Sequence, residues 1–218
     1  MFQKTCLSPS VLIVPLEDAF GWSRSQISLA ISVNILLYGL TAPFAAALME
    51  RFTVRKVVMS ALGAVSLGAF GTIFMSAPWQ LVLLWGVVVG VGTGSMALVF
   101  AATIASRWFL QRRGLVTGAL TAAAATGQLV FLPALSSIAM NHGWKSVSIT
   151  IAVAAAAVIP LIWWGLNEDP VAIGAKPYGA PEDWQAPAKL QGNAARNAID
   201  ALKNGSKHKD FWLLFGTF

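Results

Sequence analysis

The sequence predicts an all-α transmembrane bundle, and three observations carry that expectation. Residues 25–49, 57–106, 114–144 and 146–167 contain no Asp, Glu, Lys or Arg. The chain is 56% hydrophobic and only 11% charged, with a mean hydropathy of +0.67, too apolar to present a water-compatible surface as a soluble domain. Its 15 Lys and Arg residues sit in short clusters between the apolar stretches rather than along one soluble face, which argues against a nucleic-acid partner despite the net charge of +6. An α-helix rises ~1.5 Å per residue and a bilayer core is ~30 Å thick, so about 20 apolar residues suffice to cross it. Each charge-free stretch is that long.

Taken in order, the apolar stretch 6–16 is only about half a crossing length. Pro9, Pro15 and the lack of a small-residue cleavage site speak against a signal peptide, so it reads as a truncated first helix. Cys6, the single cysteine, excludes an internal disulfide framework and reads as a small apolar helix residue. The second helix is expected at 27–48. The stretch 57–106 is about twice the needed length and breaks at Ser76-Ala77-Pro78-Trp79-Gln80, where the proline disfavours helix before it and the tryptophan suits a headgroup interface. Helices three and four are therefore 57–76 and 79–106, and helices five and six are 115–140 and 147–166. Residues 1–166 form the bundle, 167–210 a Pro-, Gly-, Lys- and Asp-rich linker with a short helix around 194–203, and 211–218 the start of a seventh helix. Six helices, a linker and the beginning of another is the order expected where one six-helix half is joined to a second.

Lys and Arg near helix ends are retained on the cytoplasmic side. Arg51, Arg55 and Lys56 lie between helices two and three, Arg107, Arg112 and Arg113 between four and five, and Lys176, Lys189, Arg196, Lys203, Lys207 and Lys209 after helix six. The opposite side keeps Arg24, Lys145 and Lys4, with Glu17 and Asp18 as a solvated pair at the outer mouth. The linker is accordingly expected in the cytoplasm, and the alternation fits a bacterial inner membrane.

Two cationic junctions carry a family resemblance. Ala46-Ala47-Leu48-Met49-Glu50-Arg51-Phe52-Thr53-Val54-Arg55-Lys56-Val57 resembles the loop between helices two and three of the major facilitator superfamily, Gly-x-x-x-Asp-Arg-x-Gly-x-Arg-Arg/Lys. Ala46, Glu50 and Thr53 depart from it, standing where Gly, Asp and Gly are usual. Ser106-Arg107-Trp108-Phe109-Leu110-Gln111-Arg112-Arg113-Gly114-Leu115-Val116-Thr117-Gly118 is similar to the Arg-Trp-Phe-x-x-Arg-Arg-Gly-Leu-x-x-Gly junction of the monocarboxylate-porter and oxalate/formate-antiporter branch. Phe20-Gly21-Trp22-Ser23-Arg24-Ser25-Gln26-Ile27-Ser28 and His142-Gly143-Trp144-Lys145 fit the same branch. The resemblance implies the six-helix N-terminal bundle of a twelve-helix major facilitator fold. It also implies a conformational latch in which Glu50 caps a helix end and pairs with a cation among Arg51, Arg55, Lys56, Arg107, Arg112 and Arg113.

Gly86, Gly90 and Gly94, at intervals of four with Gly92 beside them, leave one face of helix four without side chains, so a neighbouring helix can approach closely. The Ala-rich stretch 122–125 suits the same role in helix five. Polar groups facing lipid are unfavourable, so a substrate cavity is sought along polar faces. At about 100° per residue, Asn34, Tyr38 and Thr41 share one face of helix two, and Thr117, Thr121 and Gln128 share one face of helix five. For any single one of them, bonding within its helix or to a neighbouring helix is favoured over lining a cavity.

No Asp, Glu, Lys or Arg lies within helices two to six, so this half holds no proton-carrying carboxylate and no fixed cation for an anion. The resemblance implies that the anion-binding Arg or Lys lies in a C-terminal half. The expected function is secondary active transport of small organic anions, monocarboxylates or dicarboxylates, by alternating access coupled to a proton or a counter-anion. Two alternatives stand beside it. A drug exporter of the same superfamily usually carries Gly-Pro-x-x-Gly-Gly in helix five, where this chain has Phe131-Leu132-Pro133-Ala134-Leu135-Ser136; the other alternative is a non-transporting remnant or binding subunit. His142 and His208 lie in different loops without a triad context, and no metal-ligand spacing or phosphate-binding loop occurs, so neither an enzyme, a metal nor a cofactor is expected.

Overall fold

The computed structural model describes residues 10–96, 98–167, 169–181, 184, 203–204, 207–208 and 212, with side chains at all of these except 10–12, 43, 50, 98–99 and 172–173. Cys6, Lys4, most of the linker and nearly all of 211–218 lie outside the described residues.

Helix α1 is Ser10–Phe20, α2 is Arg24–Arg51 and α3 is Val54–Thr72. Helix α4, Pro78–Trp108, begins α-helical and winds more widely, with π spacing, over Val82–Val89, then returns to α-helix. The helical run Arg113–Gly165 would be ~80 Å long as one rod, but it bends at Gly143, where φ is 79° and ψ 171°. It is therefore two helices, α5 at 113–142 and α6 at 144–165. Arg24–Ala42, Val54–Thr72, Pro78–Trp108 and Arg113–Gly165 are each long and apolar enough to cross a bilayer. Large apolar side chains such as Leu67, Phe74, Leu129 and Trp164 stand open on the outside of the bundle, as a lipid solvent permits. This is an all-α, multi-pass membrane fold.

Caps fix several of the helix ends. Gly21, at φ +66°, closes α1, its N–H donating to the Glu17 carbonyl at 2.8 Å. Ser23 and Gln26 then form a reciprocal capping box that starts α2. Glu17 and Asp18 thus belong to the last turn of α1, and Glu17 accepts from Arg24 Nε at 2.8 Å across the turn. At α4, Pro78 occupies the first turn and the Gln80 side chain accepts from the Ser76 and Ala77 amides at 2.7 and 3.2 Å.

Helix α4 is wedged between α2 and α3. A Cβ on Gly86 would lie 3.1 Å from the Ala30 carbonyl oxygen, on Gly90 3.1 Å from the Asn34 Cα, and on Gly94 2.8 Å from the Tyr38 carbonyl oxygen. Gly92 meets α3 instead, 2.9 Å from the Ala61 carbonyl oxygen by the same measure. Helix α3 is tied to α6 by Ser66, whose hydroxyl donates to the Ala152 carbonyl at 2.9 Å, and by the buried Thr72 and Ser148 hydroxyls, bonded to each other at 2.9 Å. Two apolar clusters fill the interior. Met49, Val54, Val57, Val58, Leu62, Val65, Val89 and Ala155 fill one, and Leu16, Ile27, Ala30, Met75, Leu81 and Trp144 the other.

Thr53 precedes α3 at φ 131°, ψ 139°, a conformation suited to glycine, while its hydroxyl accepts from the Lys56 amide at 3.4 Å. Strain of about 1–3 kcal/mol is set against a cap that glycine would weaken by only a few tenths. Thr53→Gly should therefore raise stability by about 1 kcal/mol even after the added freedom of the unfolded chain, read as a higher midpoint in denaturant titration of the detergent-solubilised protein. In the same assay Gly94→Ala should lose about 1–3 kcal/mol, since the Tyr38 backbone cannot yield. Gly63→Ala, which meets nothing within 4 Å, should be neutral or gain ~0.5–1 kcal/mol.

Candidate functional site

The polar face of α2 is pressed onto α4. Asn34 is half-buried, and its Nδ2 donates to the Trp85 carbonyl at 2.7 Å while its backbone lies against Gly90. Tyr38 and Thr41 flank Gly94 in the same way, the first through its backbone and the second through Cβ, and the Tyr38 side chain stays 42% exposed. Asn34 therefore spends its amide on the neighbouring helix.

The polar face of α5 has a different setting. Thr117 donates to the Arg113 carbonyl at 2.9 Å and Thr121 to the Thr117 carbonyl, each one turn back. Gln128 is exposed and bonded to no described residue, and almost every residue from 114 to 134 is open. No described helix covers this face. A groove of about 430 Å³ between α2 and α4 is lined by Gln26 and apolar residues including Leu29, Trp79 and Leu83, and none of the six polar candidates borders it.

The cationic junctions meet at one end of the bundle around the end of α6. The Arg55 guanidinium lies over the Trp163 ring at 5.4 Å, and that of Arg51 over Phe52 at 5.3 Å. Arg107 pairs with Asp169 at 3.2 Å, and Arg113 Nε donates to the Phe109 carbonyl at 2.7 Å. Arg112 is exposed, in a left-handed conformation at φ 59°, and Lys56 is exposed too. The Glu50 side chain, on which the expected latch rests, lies outside the described residues. At the opposite end Trp144, 7% exposed, packs among Leu16, Ile27, Met75 and Leu81, and its ring lies 5.3 Å from Phe20, itself stacked on Trp22.

Asp169, Trp163 and Tyr178 were not expected from the sequence. A signal existed for the first and last: an Asp-Pro pair straight after helix six and a Tyr-Gly turn nine residues on. Their partners lie far back along the chain, where local pattern does not reach.

Chemically, the membrane-crossing part offers hydroxyl, amide and indole groups. Every charged side chain of the six helices sits in a terminal turn, and no His, Cys, Asp and Glu group able to hold a metal occurs among the described residues. Such a set orients a ligand by hydrogen bonds without neutralising a charge.

An uncharacterized MFS-type transporter, YcxA, of Bacillus subtilis is 31% identical over 161 residues, covering 72% of this chain and 39% of the relative. Monocarboxylate transporter 7 of Homo sapiens is 25% identical over 87% of this chain and 36% of its own length. A gallate transporter of Pseudomonas putida is 27% identical over 89% and 43%. The chain thus spans well under half the length of these curated relatives. The sequence profile of the Major Facilitator Superfamily matches residues 1–218, and the chain belongs to that superfamily of membrane transporters.

Proposed function

We propose that this chain forms part of a secondary transporter of small organic anions, with a monocarboxylate or dicarboxylate as substrate and a proton or counter-anion as the coupled species. The observation that carries the reading is that two of its relatives, one human and one bacterial, are named for the transport of carboxylates. The Arg107–Gly118 junction, similar to that of the monocarboxylate-porter branch, supports it. Alternating access rocks this bundle against a second, helical half, and the linker 167–210 joins the two on the cytoplasmic side of the cell membrane. The gathering of the cationic junctions at one end supports that orientation.

The bare face of α5 forms one wall of the central cavity. Thr117 and Thr121 retain acceptor lone pairs there, and Gln128 offers both donor and acceptor groups. Asn34 acts in the frame, through α4. Because the spans carry no charge, the carboxylate's counter-charge comes from the other half of the transporter. Glu50, Arg51, Arg55, Lys56, Arg107, Arg112 and Arg113 form the surface that meets that half when the cytoplasmic side closes.

Proteoliposomes bearing this bundle together with the second half of the transporter should take up labelled lactate, succinate or gallate saturably, faster under an inward proton gradient or with unlabelled carboxylate inside. Gln128→Ala should raise KM by about three- to tenfold, the loss of one or two hydrogen bonds, without reducing the amount of protein in the membrane. No saturable, gradient-dependent uptake of any carboxylate rejects the reading, and gradient-driven export of hydrophobic cations would assign the chain to drug efflux.

A further inference from the structure

We infer that residues 169–179 are a clasp which folds back over the turn between α4 and α5 and fixes where α5 begins. The segment leaves α6, makes a short 3₁₀ turn at Pro170–Ile173 and returns to lie parallel to that turn. The Tyr178 amide donates to the Trp108 carbonyl at 2.8 Å, and the Tyr178 carbonyl accepts from the Leu110 and Gln111 amides at 2.9 and 3.4 Å. The Phe109 and Tyr178 rings lie 6.1 Å apart. Asp169 holds Arg107 at 3.2 Å, and Pro170 and Pro177 within the segment are buried. Gly179, at φ +82°, sits so close to Gln111 that a Cβ would fall 2.6 Å from its Cγ. Ion pair, backbone pairing and glycine notch all engage one short stretch, 107–111.

That stretch needs an outside support. Arg112, in a left-handed conformation that arginine rarely adopts, is the cap position of α5 and makes no side-chain capping bond. The first turn of α5 has no acidic residue, and Arg112 and Arg113 put positive charge at the positive end of the helix dipole. Local sequence therefore disfavours a helix beginning here, and a strained residue persists only where its surroundings over-determine it. The clasp is the element that does so, through the amides of Leu110 and Gln111 directly before Arg112. It couples the segment after α6 to α5, the helix with the uncovered polar face, and this coupling stands whatever the substrate.

Gly179→Val removes the notch. Amide exchange at 110–111 and in the first turn of α5, measured on the protein in detergent micelles, should accelerate about tenfold or more, while exchange in α3 stays within about twofold. Trypsin cleavage after Arg112 and Arg113 should rise in parallel. Unchanged exchange at 110–111 in a variant with an intact α3 overturns the clasp. Should that variant not fold, Phe109→Cys with Tyr178→Cys in a Cys6→Ser background serves instead. Rapid disulfide formation under mild oxidation supports the docked segment, and failure to cross-link while both thiols remain open to a maleimide refutes it.

Discussion

Helix α4 meets both of its neighbours through backbone, and that contact sets the arrangement of the other helices. Between apolar helices in lipid there is no hydrophobic driving force, so association rests on close packing and on the few polar bonds that proximity permits. Gly86, Gly90 and Gly94 lay a bare strip against Ala30, Asn34 and Tyr38, while Gly92 turns toward Ala61 and Val65. The approach that these glycines allow brings the Asn34 amide within 2.7 Å of the Trp85 carbonyl. Trp85 lies in the widely wound stretch Val82–Val89, and a carbonyl there has a second lone pair for a donor from outside the helix. Backbone contact and amide bond together fix the register of α4 on α2. The glycine strip is thus a joint rather than a track.

The two polar faces had the same period in the sequence and have different settings in the fold. Asn34, Tyr38 and Thr41 lie on the side of α2 that the glycine strip occupies, whereas Thr117, Thr121 and Gln128 lie on a side of α5 that no described helix touches. Nothing within either helix distinguishes them. The difference is made by the neighbour, and a periodicity argument sees only one helix at a time.

The same boundary separates what was legible from what was not. Crossing segments followed from charge-free length, since the cost of burying charge in lipid acts on each residue by itself. Several motif residues proved to be turn chemistry: Gly21 ends a helix, Ser23 and Gln26 start one, and Gly143 separates α5 from α6. Those too are local. Arg107 and Asp169, by contrast, are 62 positions apart, and no local preference brings Tyr178 to Trp108. Contacts of that kind depend on the finished packing of α3 on α6, which carries the end of α6 past the α4–α5 turn.

Thr53 and Arg112 are the two non-glycine residues with positive φ among those described, and each stands immediately before a helix at the cationic end. Their conformational cost is met from different sources. Thr53 has its own hydroxyl on the Lys56 amide, and the helix it starts buries Val54, Val57 and Val58 in the main core. Arg112 makes no side-chain capping bond, and the helix it starts is exposed along most of its first twenty residues. The start of α3 is therefore secured locally and the start of α5 remotely, by a segment that belongs to the other side of α6. Helices α2, α3, α4 and α6 form a frame held by backbone contact, buried hydroxyls and apolar packing. Helix α5 is the member whose start is held from outside that frame, by the segment that follows α6.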